Sequence, residues 1–388
     1  MSECAVEQGR RMKRGKPTNR LLDRYIGIPV LNLLTLFHHR RKRPETVNRI
    51  GVLVNPALGD TMLASAAVRD LREQFPRAKL IFFAARSNVA VARMMPEIDV
   101  LEVIPLTRPW KAIRQMREAG LDLLVDFTSW QRLTAMISYF SGARFRVGFE
   151  RAAQHRHRGY DVAVPHLGSC HELENLRRMT AMLGVREHQR PGLAVPDQSV
   201  DTAFAGKRLV VFHAWASGAL NVLREWPEEN WVELARHLES PDRLFVLTGG
   251  PGDRERCEQF QRRLEQAGVA ARVLIGSRGL EEVAAVLQRA ELLVSVNTGI
   301  MHLGAILGTP TVALNGPNSP KRWGPVGERV ANVDTCDGSG GFLDLGFEFD
   351  GHYVMDRIRP ESVVEAVEWL KWASGESRRT CESDLRIG

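Results

Sequence analysis

The chain has few of the features that would define it quickly. Its five cysteines (Cys4, Cys170, Cys257, Cys336 and Cys381) are odd in number and scattered, with no CxxC pair. That argues against a disulfide framework or a structural zinc site and for a reducing compartment. No GxGxxG follows any strand-like run, so a dinucleotide-dependent oxidoreductase or epimerase has little support. No DxD triplet stands at a strand end, and no cluster of metal-ligand spacing is present, so neither metal nor cofactor is expected. The longest apolar run, Tyr25 to Phe37, is interrupted by Gly27, Pro29, Asn32 and Thr35. It falls short of the roughly 18 residues that span a bilayer.

Charge is distributed unevenly. The net charge is +7, yet residues 1–49 hold twelve Lys/Arg against four Asp/Glu. The rest of the chain is therefore close to neutral. A nucleic-acid binder would carry its basic residues across the working face, so no nucleic-acid partner is expected. Residues 1–18 read as a disordered basic tail. Residues 19–43 read as an amphipathic segment with Arg20 and Arg24 before the apolar run and Arg40 to Arg43 after it. Pro29 should kink or break a helix there. Two readings stay open: residues 20–43 rest on an anionic membrane surface, or they pack on the first domain and bury Leu22, Ile26, Leu33 and Leu36.

The 388 residues suit two domains. From residue 44, short apolar strands (49–55, KLIFFAA, LEVIPL, LDLLVDF, FRVGF) alternate with amphipathic helices, beginning with residues 60–75. The pattern restarts with strands at 208–214, 243–250, 271–276, 291–297 and 311–316. Such alternation predicts parallel sheets covered on both faces. The Pro/Gly-rich stretch 190–206 reads as a linker. The resulting division is 44–195, 196–345, and a C-terminal helix and tail over 346–388.

Three motifs carry chemistry. NPALGDT (55–61) ends the first strand, where ligands gather in α/β sheets. Gly59 permits a tight turn, and Asp60 falls at or near a helix N-cap; a cap and a functional carboxylate are both open readings. FHAWASGALNVLREWPE (212–228) offers a small polar loop and Arg224 before a helix, a place for a phosphate. SVNTGIMHLGAILGTPTVALNGPNSPKRWGP (295–325) is the most specific. A buried strand ends at Asn297, and a helix starting near Thr298 and Gly299 offers unpaired N–H groups to a diphosphate. His302 lies on its first turn, facing either a ligand or the core.

The order and spacing of LGD-x-x-L…A-x-x-x-L at 58–71, REWPEENW at 224–231 and NTGIMHLGAILGTPTVALNGPNSP at 297–320 resemble the lipopolysaccharide heptosyltransferases of glycosyltransferase family 9. GARFRVGF at 142–149, HELENLRRMTAMLGV at 171–185 and RLLDRYIGIP at 20–29 extend the likeness. The resemblance implies a GT-B fold of two Rossmann-like domains across a cleft. It implies an inverting, metal-independent transfer from a nucleotide diphosphate-sugar, ADP-heptose above all, to a lipopolysaccharide-type or other glycan acceptor. By the same resemblance Asp60 is the general base. Arg224 contacts donor phosphate, Asp253 holds the ribose, and backbone near Arg278 serves adenine. Asn297, Thr298, Gly299 and His302 bind the donor, with Trp215, Ala216 and Ser217 in the donor loop. The setting it implies is the bacterial cytoplasm, peripheral on the inner membrane. Asn297 departs from the family's usual Asp, and the loop 215–223 looks longer than in many members. Asn297 is also what would favour the alternative, a membrane-associated sugar-nucleotide-binding protein of the same fold with little turnover.

Overall fold

The computed structural model describes residue 21 and residues 23–35, 40–151, 154–196, 204–217, 221–275, 279–335 and 353–375. Arg278 and residues 1–18 lie outside the described residues.

The first domain is a six-stranded parallel sheet in the order β3-β2-β1-β4-β5-β6. Its strands are β1 (Arg49–Leu53), β2 (Lys79–Ala84), β3 (Val100–Val103), β4 (Leu123–Asp126), β5 (Phe145–Glu150) and β6 (Val162–Pro165). The strands are short apolar runs buried from both sides, and amphipathic helices supply the cover. These are α2 (Leu58–Gln74), α3 (Val89–Arg93), α4 (Pro109–Glu118), α5 (Arg132–Phe140) and α6 (Glu172–Ala181). In α2, Leu63, Ala67 and Leu71 form the buried stripe the sequence shows.

The second sheet repeats the plan in the order β12-β11-β10-β7-β8-β9, again all parallel. It comprises β7 (Arg208–His213), β8 (Arg243–Thr248), β9 (Ala271–Leu274), β10 (Leu292–Val296), β11 (Thr311–Leu314) and β12 (Val330–Val333). Between them run α7 (Glu228–Leu238), α8 (Arg254–Gln266), α9 (Leu280–Arg289), α10 (Gly299–Ile306) and α11 (Pro320–Trp323). The final helix, α12 (Pro360–Gly375), buries Val363, Val367 and Leu370 in the same core as β7 and β10. It therefore closes the second domain.

Each sheet reverses strand order once, between β1 and β4 and between β7 and β10. Crevices at such reversals, outside the carboxyl ends of the strands, are where open α/β sheets bind ligands. Asp60 follows β1, Arg224 follows β7, and Asn297 follows β10. This is the two-domain GT-B architecture that the sequence resemblance implies.

The described part of the N-terminal segment docks on the first domain through Leu31 and Asp23. Helix α1 (Gly27–Thr35) buries Leu31 against Ala135 and Tyr160. Asp23 pairs with Arg132 at 2.8 Å and also accepts from its backbone N–H at 2.9 Å. Leu21, Tyr25, Ile26 and Leu33 remain exposed. Ile26 and Leu33 are thus not buried as the packed reading expected, and Leu22 and Leu36 lie outside the described residues. Helical backbone over residues 23–25 gives way to a turn at Ile26, and α1 restarts at Gly27 with Pro29 in its first turn. This is the interruption expected of a proline, which cannot donate to Tyr25 O and crowds that carbonyl. Among the described residues no helix is long and apolar enough to cross a membrane.

Candidate active site

On the first-domain side, buried amides fix the turn that carries Asp60. Asn55 Nδ2 donates to Ser129 Oγ at 3.2 Å, which ties the exit of β1 to the exit of β4. Asn88, after β2, accepts from Ala85 N at 2.8 Å and donates to Thr61 Oγ1 at 2.9 Å. Thr61 Oγ1 in turn donates to Ala57 O at 2.8 Å. Three strand exits are thereby held as one rigid rim. Asp60 lies near the N-cap rather than at it, because α2 starts two residues earlier with Ala57 at the cap position. Asp60 sits half-buried in the first turn, where unpaired helix amides favour a negative side chain.

On the second-domain side, β10 runs through Asn297 into α10. Thr298 occupies the N-cap in extended conformation, yet its hydroxyl caps nothing and is buried without a partner. Arg224 reaches the same helix start: Nη1 lies 3.4 Å from Asn297 O and Nη2 lies 2.5 Å from Ser217 O. A cation therefore stands beside an open helix N-terminus, the arrangement that suits a diphosphate. His302 is buried, and burial, with His171 nearby, pushes its imidazole down to about 3. It is neutral at physiological pH, and its Nδ1 has no partner.

The two helix starts meet. A Cβ on Gly59 would lie 3.1 Å from His302 Cδ2, and one on Gly299 would lie 2.9 Å from Leu58 Cβ. Neither glycine has a positive φ. Their small size serves close approach between domains, and Gly59 lies inside the first turn of α2 rather than in a separate tight turn.

Other sequence-derived candidates are spread more widely. Asp253 Oδ2 accepts from Gly250 N at 2.8 Å in the turn after β8. Trp215 and Ala216 are buried in the second core, where the Trp215 ring packs edge-on against Phe260 at 5.8 Å. Ser217 is exposed and offers its carbonyl to Arg224. Asn297 is held inside the protein, its amide donating to Asn315 Oδ1 at 2.7 Å and Trp323 O at 3.1 Å.

Sequence reasoning missed a second bridge across the cleft. Arg322 donates to the buried Glu172 carboxylate, which also lies 3.1 Å from His166 Nε2. Next to it, His171 Nδ1 accepts from Leu173 N at 3.2 Å. Its Nε2 must then carry the proton, which it donates to Gly324 O at 3.0 Å. Glu172 and His171 fall within a stretch quoted for the resemblance, whereas Arg322 and Gly324 lie just beyond the one that ends at residue 320, and partners about 150 residues apart leave no local signal.

With this geometry in view, the sequence profile of glycosyltransferase family 9 (heptosyltransferase) matches residues 109–338, well over half of the chain. The chain belongs to glycosyltransferase family 9. It is 31% identical over 350 residues to lipopolysaccharide heptosyltransferase 2 of Salmonella typhimurium, covering 82% of this chain and 97% of that protein. To lipopolysaccharide heptosyltransferase 1 of Escherichia coli it is 26% identical over 315 residues, 76% and 93% of the two chains. Among solved structures, the Escherichia coli ADP-heptose lipopolysaccharide heptosyltransferase II superposes with a TM-score of 0.69 at 20% identity, covering 84% and 100%. A family 9 glycosyltransferase of Veillonella parvula gives 0.71 at 19%, covering 86% and 100%. At these identities the structures establish the shared fold. This family 9 enzyme is a glycosyltransferase whose strand exits β1, β7 and β10 converge on one cleft.

Proposed function

We propose that this enzyme moves heptose or a closely related sugar from a nucleotide diphosphate donor, ADP-heptose first among candidates, to a lipopolysaccharide-type glycan. The transfer inverts the anomeric centre and needs no metal. The observation that carries this reading is the meeting of the Asp60 turn with the Thr298–Gly299 helix start at the Gly59–His302 contact. It brings a carboxylate from one domain beside an anion-binding helix end of the other.

In chemical terms, the donor phosphates lie on the α10 N-terminus and Arg224, which stabilise charge developing on the leaving diphosphate. The acceptor oxygen forms its bond to the anomeric carbon as the carbon–phosphate-oxygen bond breaks. The electron pair leaves with the nucleoside diphosphate, and Asp60 takes the acceptor proton. Asp253 and backbone near Arg278 hold the nucleoside. Closure of the cleft excludes water and limits donor hydrolysis. The relatives' names supply heptose and lipopolysaccharide as substrates.

The exposed Leu21, Tyr25, Ile26 and Leu33 on the docked N-terminal segment support peripheral binding to the inner membrane of a bacterium, from the cytoplasmic side. There a lipid-linked acceptor is at hand. The test is to incubate the full chain with ADP-heptose and heptose-deficient lipopolysaccharide, with and without EDTA. A product heavier by one heptose, with inverted anomeric configuration and EDTA-insensitive yield, is expected. Donor binding without any product would favour the sugar-nucleotide-binding alternative, for which Asn297 in place of Asp is the supporting feature.

A further inference from the structure

Four asparagines line up across the exits of β10 and β11 and the edge strand β12. Asn318 Nδ2 donates to Asn297 Oδ1 at 3.0 Å, and Asn297 Nδ2 donates to Asn315 Oδ1 at 2.7 Å. Asn315 Nδ2 donates to Asn332 Oδ1 at 3.0 Å. Backbone carbonyls fix the direction of this chain. Asn297 Nδ2 lies 3.1 Å from Trp323 O, and Asn315 Nδ2 lies 3.1 Å from Ala313 O. A carbonyl oxygen only accepts, so those amide atoms are nitrogens, and Asn297 presents its oxygen to Asn318. Asn318 must then present its nitrogen to Asn297, and its Oδ1 is left over. That oxygen is buried, on a residue only 8% exposed, and no group among the described residues donates to it.

A buried acceptor without a donor is costly and uncommon, and it marks a place that something else fills. Two neighbouring features say what. Thr298 Oγ1 and His302 Nδ1, on the adjoining exit of β10, are likewise buried without partners. The chemistry of Oδ1 then narrows the occupant, because an acceptor oxygen repels a phosphate and welcomes a hydroxyl. Asn297, with both amide protons committed to Asn315 and Trp323, is not the group with an unmet requirement.

We infer that Asn318 Oδ1 accepts a hydrogen bond from a hydroxyl of the transferred sugar, which makes Asn318 a specificity-determining residue for the donor. This rests on the donor-binding reading above. It shifts sugar recognition from the position where the family usually has Asp to the loop after β11. Asn297 sets the orientation of the Asn318 amide, and Asn318 makes the contact.

The test is calorimetric titration of the full chain with ADP and with ADP-heptose, for wild type and Asn318→Leu. The variant should bind ADP within about twofold of wild type and ADP-heptose about tenfold more weakly or worse. Analogues of ADP-heptose with one hydroxyl replaced by fluorine add a second measurement. One position should cost wild type about tenfold and cost Asn318→Leu nothing further, as for two sides of one contact. Equal loss for ADP and ADP-heptose, or no loss for either, overturns the inference. So does a wild-type analogue series in which no single hydroxyl matters, a result that needs no variant to fold. Failure of wild type to bind either ligand would instead defeat the donor-binding reading itself.

Discussion

Arg322 in the second domain and Glu172 in the first form a buried ion pair across the cleft, 150 residues apart in sequence. Glu172 is 2% exposed and Arg322 1%, so neither charge has water to fall back on. Two Arg322 nitrogens are already without partners. Glu172→Gln should therefore destabilise the protein by about 3–5 kcal/mol, the cost of stranding one member of a buried pair. Replacing both residues with leucine should cost less than the single change, and denaturant titration of the three proteins checks the order. Burial pushes the Glu172 carboxyl up, but His166 and Arg322 outweigh it and hold it below its ordinary value. The pair's contribution is thus present above the unfolded carboxyl range of about 4.3 and is lost as pH falls through the lowered folded value.

His302 titrates with the same sign for a different reason. Its imidazole is pushed down to about 3 by burial, with His171 adding to the effect, against about 6.5 when unfolded. Between those values the unfolded chain binds a proton that the folded one refuses. Stability should fall by up to about 1.4 kcal/mol per pH unit as pH drops from 6.5 toward 3. His302→Gln should flatten that dependence. Thermal melts of both proteins across this range provide the comparison, and parallel slopes would show that His302 is not the titrating group.

Asn297→Asp would restore the family's usual residue at a structural cost. The carboxylate could no longer donate to Asn315 Oδ1 or Trp323 O, leaving two buried acceptors facing a negative charge. A loss on the order of 2 kcal/mol or more is expected, measured by urea unfolding. The ratio of kcat/KM for ADP-heptose over a second ADP-sugar is then the readout for specificity.

The N-terminal segment can be tested without disturbing its anchor. Tyr25, Ile26 and Leu33 are exposed, whereas Leu31 and the Asp23–Arg132 pair hold the segment in place. Changing all three exposed residues to serine should leave Tm unchanged and markedly reduce sedimentation with phosphatidylglycerol liposomes. High salt should weaken binding of the unaltered chain, since Arg40 and Lys42 are exposed and their attraction is screened over about 8 Å at physiological ionic strength. Undiminished binding by the serine variant would remove the membrane role.

The sequence made much of this legible and left specific things out. Long strand–helix alternation gave both sheets, because fully buried parallel strands read as apolar runs. The short edge strands β6 and β12 were not anticipated, since VAVP and VANV are four residues each with exposed positions. Asp60, Arg224 and the Thr298–Gly299 helix start stood out through local residue type. The cap position did not, because α2 begins at Leu58 on an alanine cap that no propensity rule favours. The Glu172–Arg322 pair and the asparagine chain depend on how two strand exits or two domains face each other, and periodicity carries no such information.

The central claim is that Asp60 acts as the base in sugar transfer. Asp60→Asn keeps the shape of the turn and removes only the proton acceptor. The decisive measurement is turnover of ADP-heptose with heptose-deficient lipopolysaccharide, beside the variant's affinity for ADP-heptose. Affinity should stay within about twofold of wild type, with kcat lower by about 10²–10⁴-fold. A variant that binds the donor normally and keeps near wild-type kcat would contradict it.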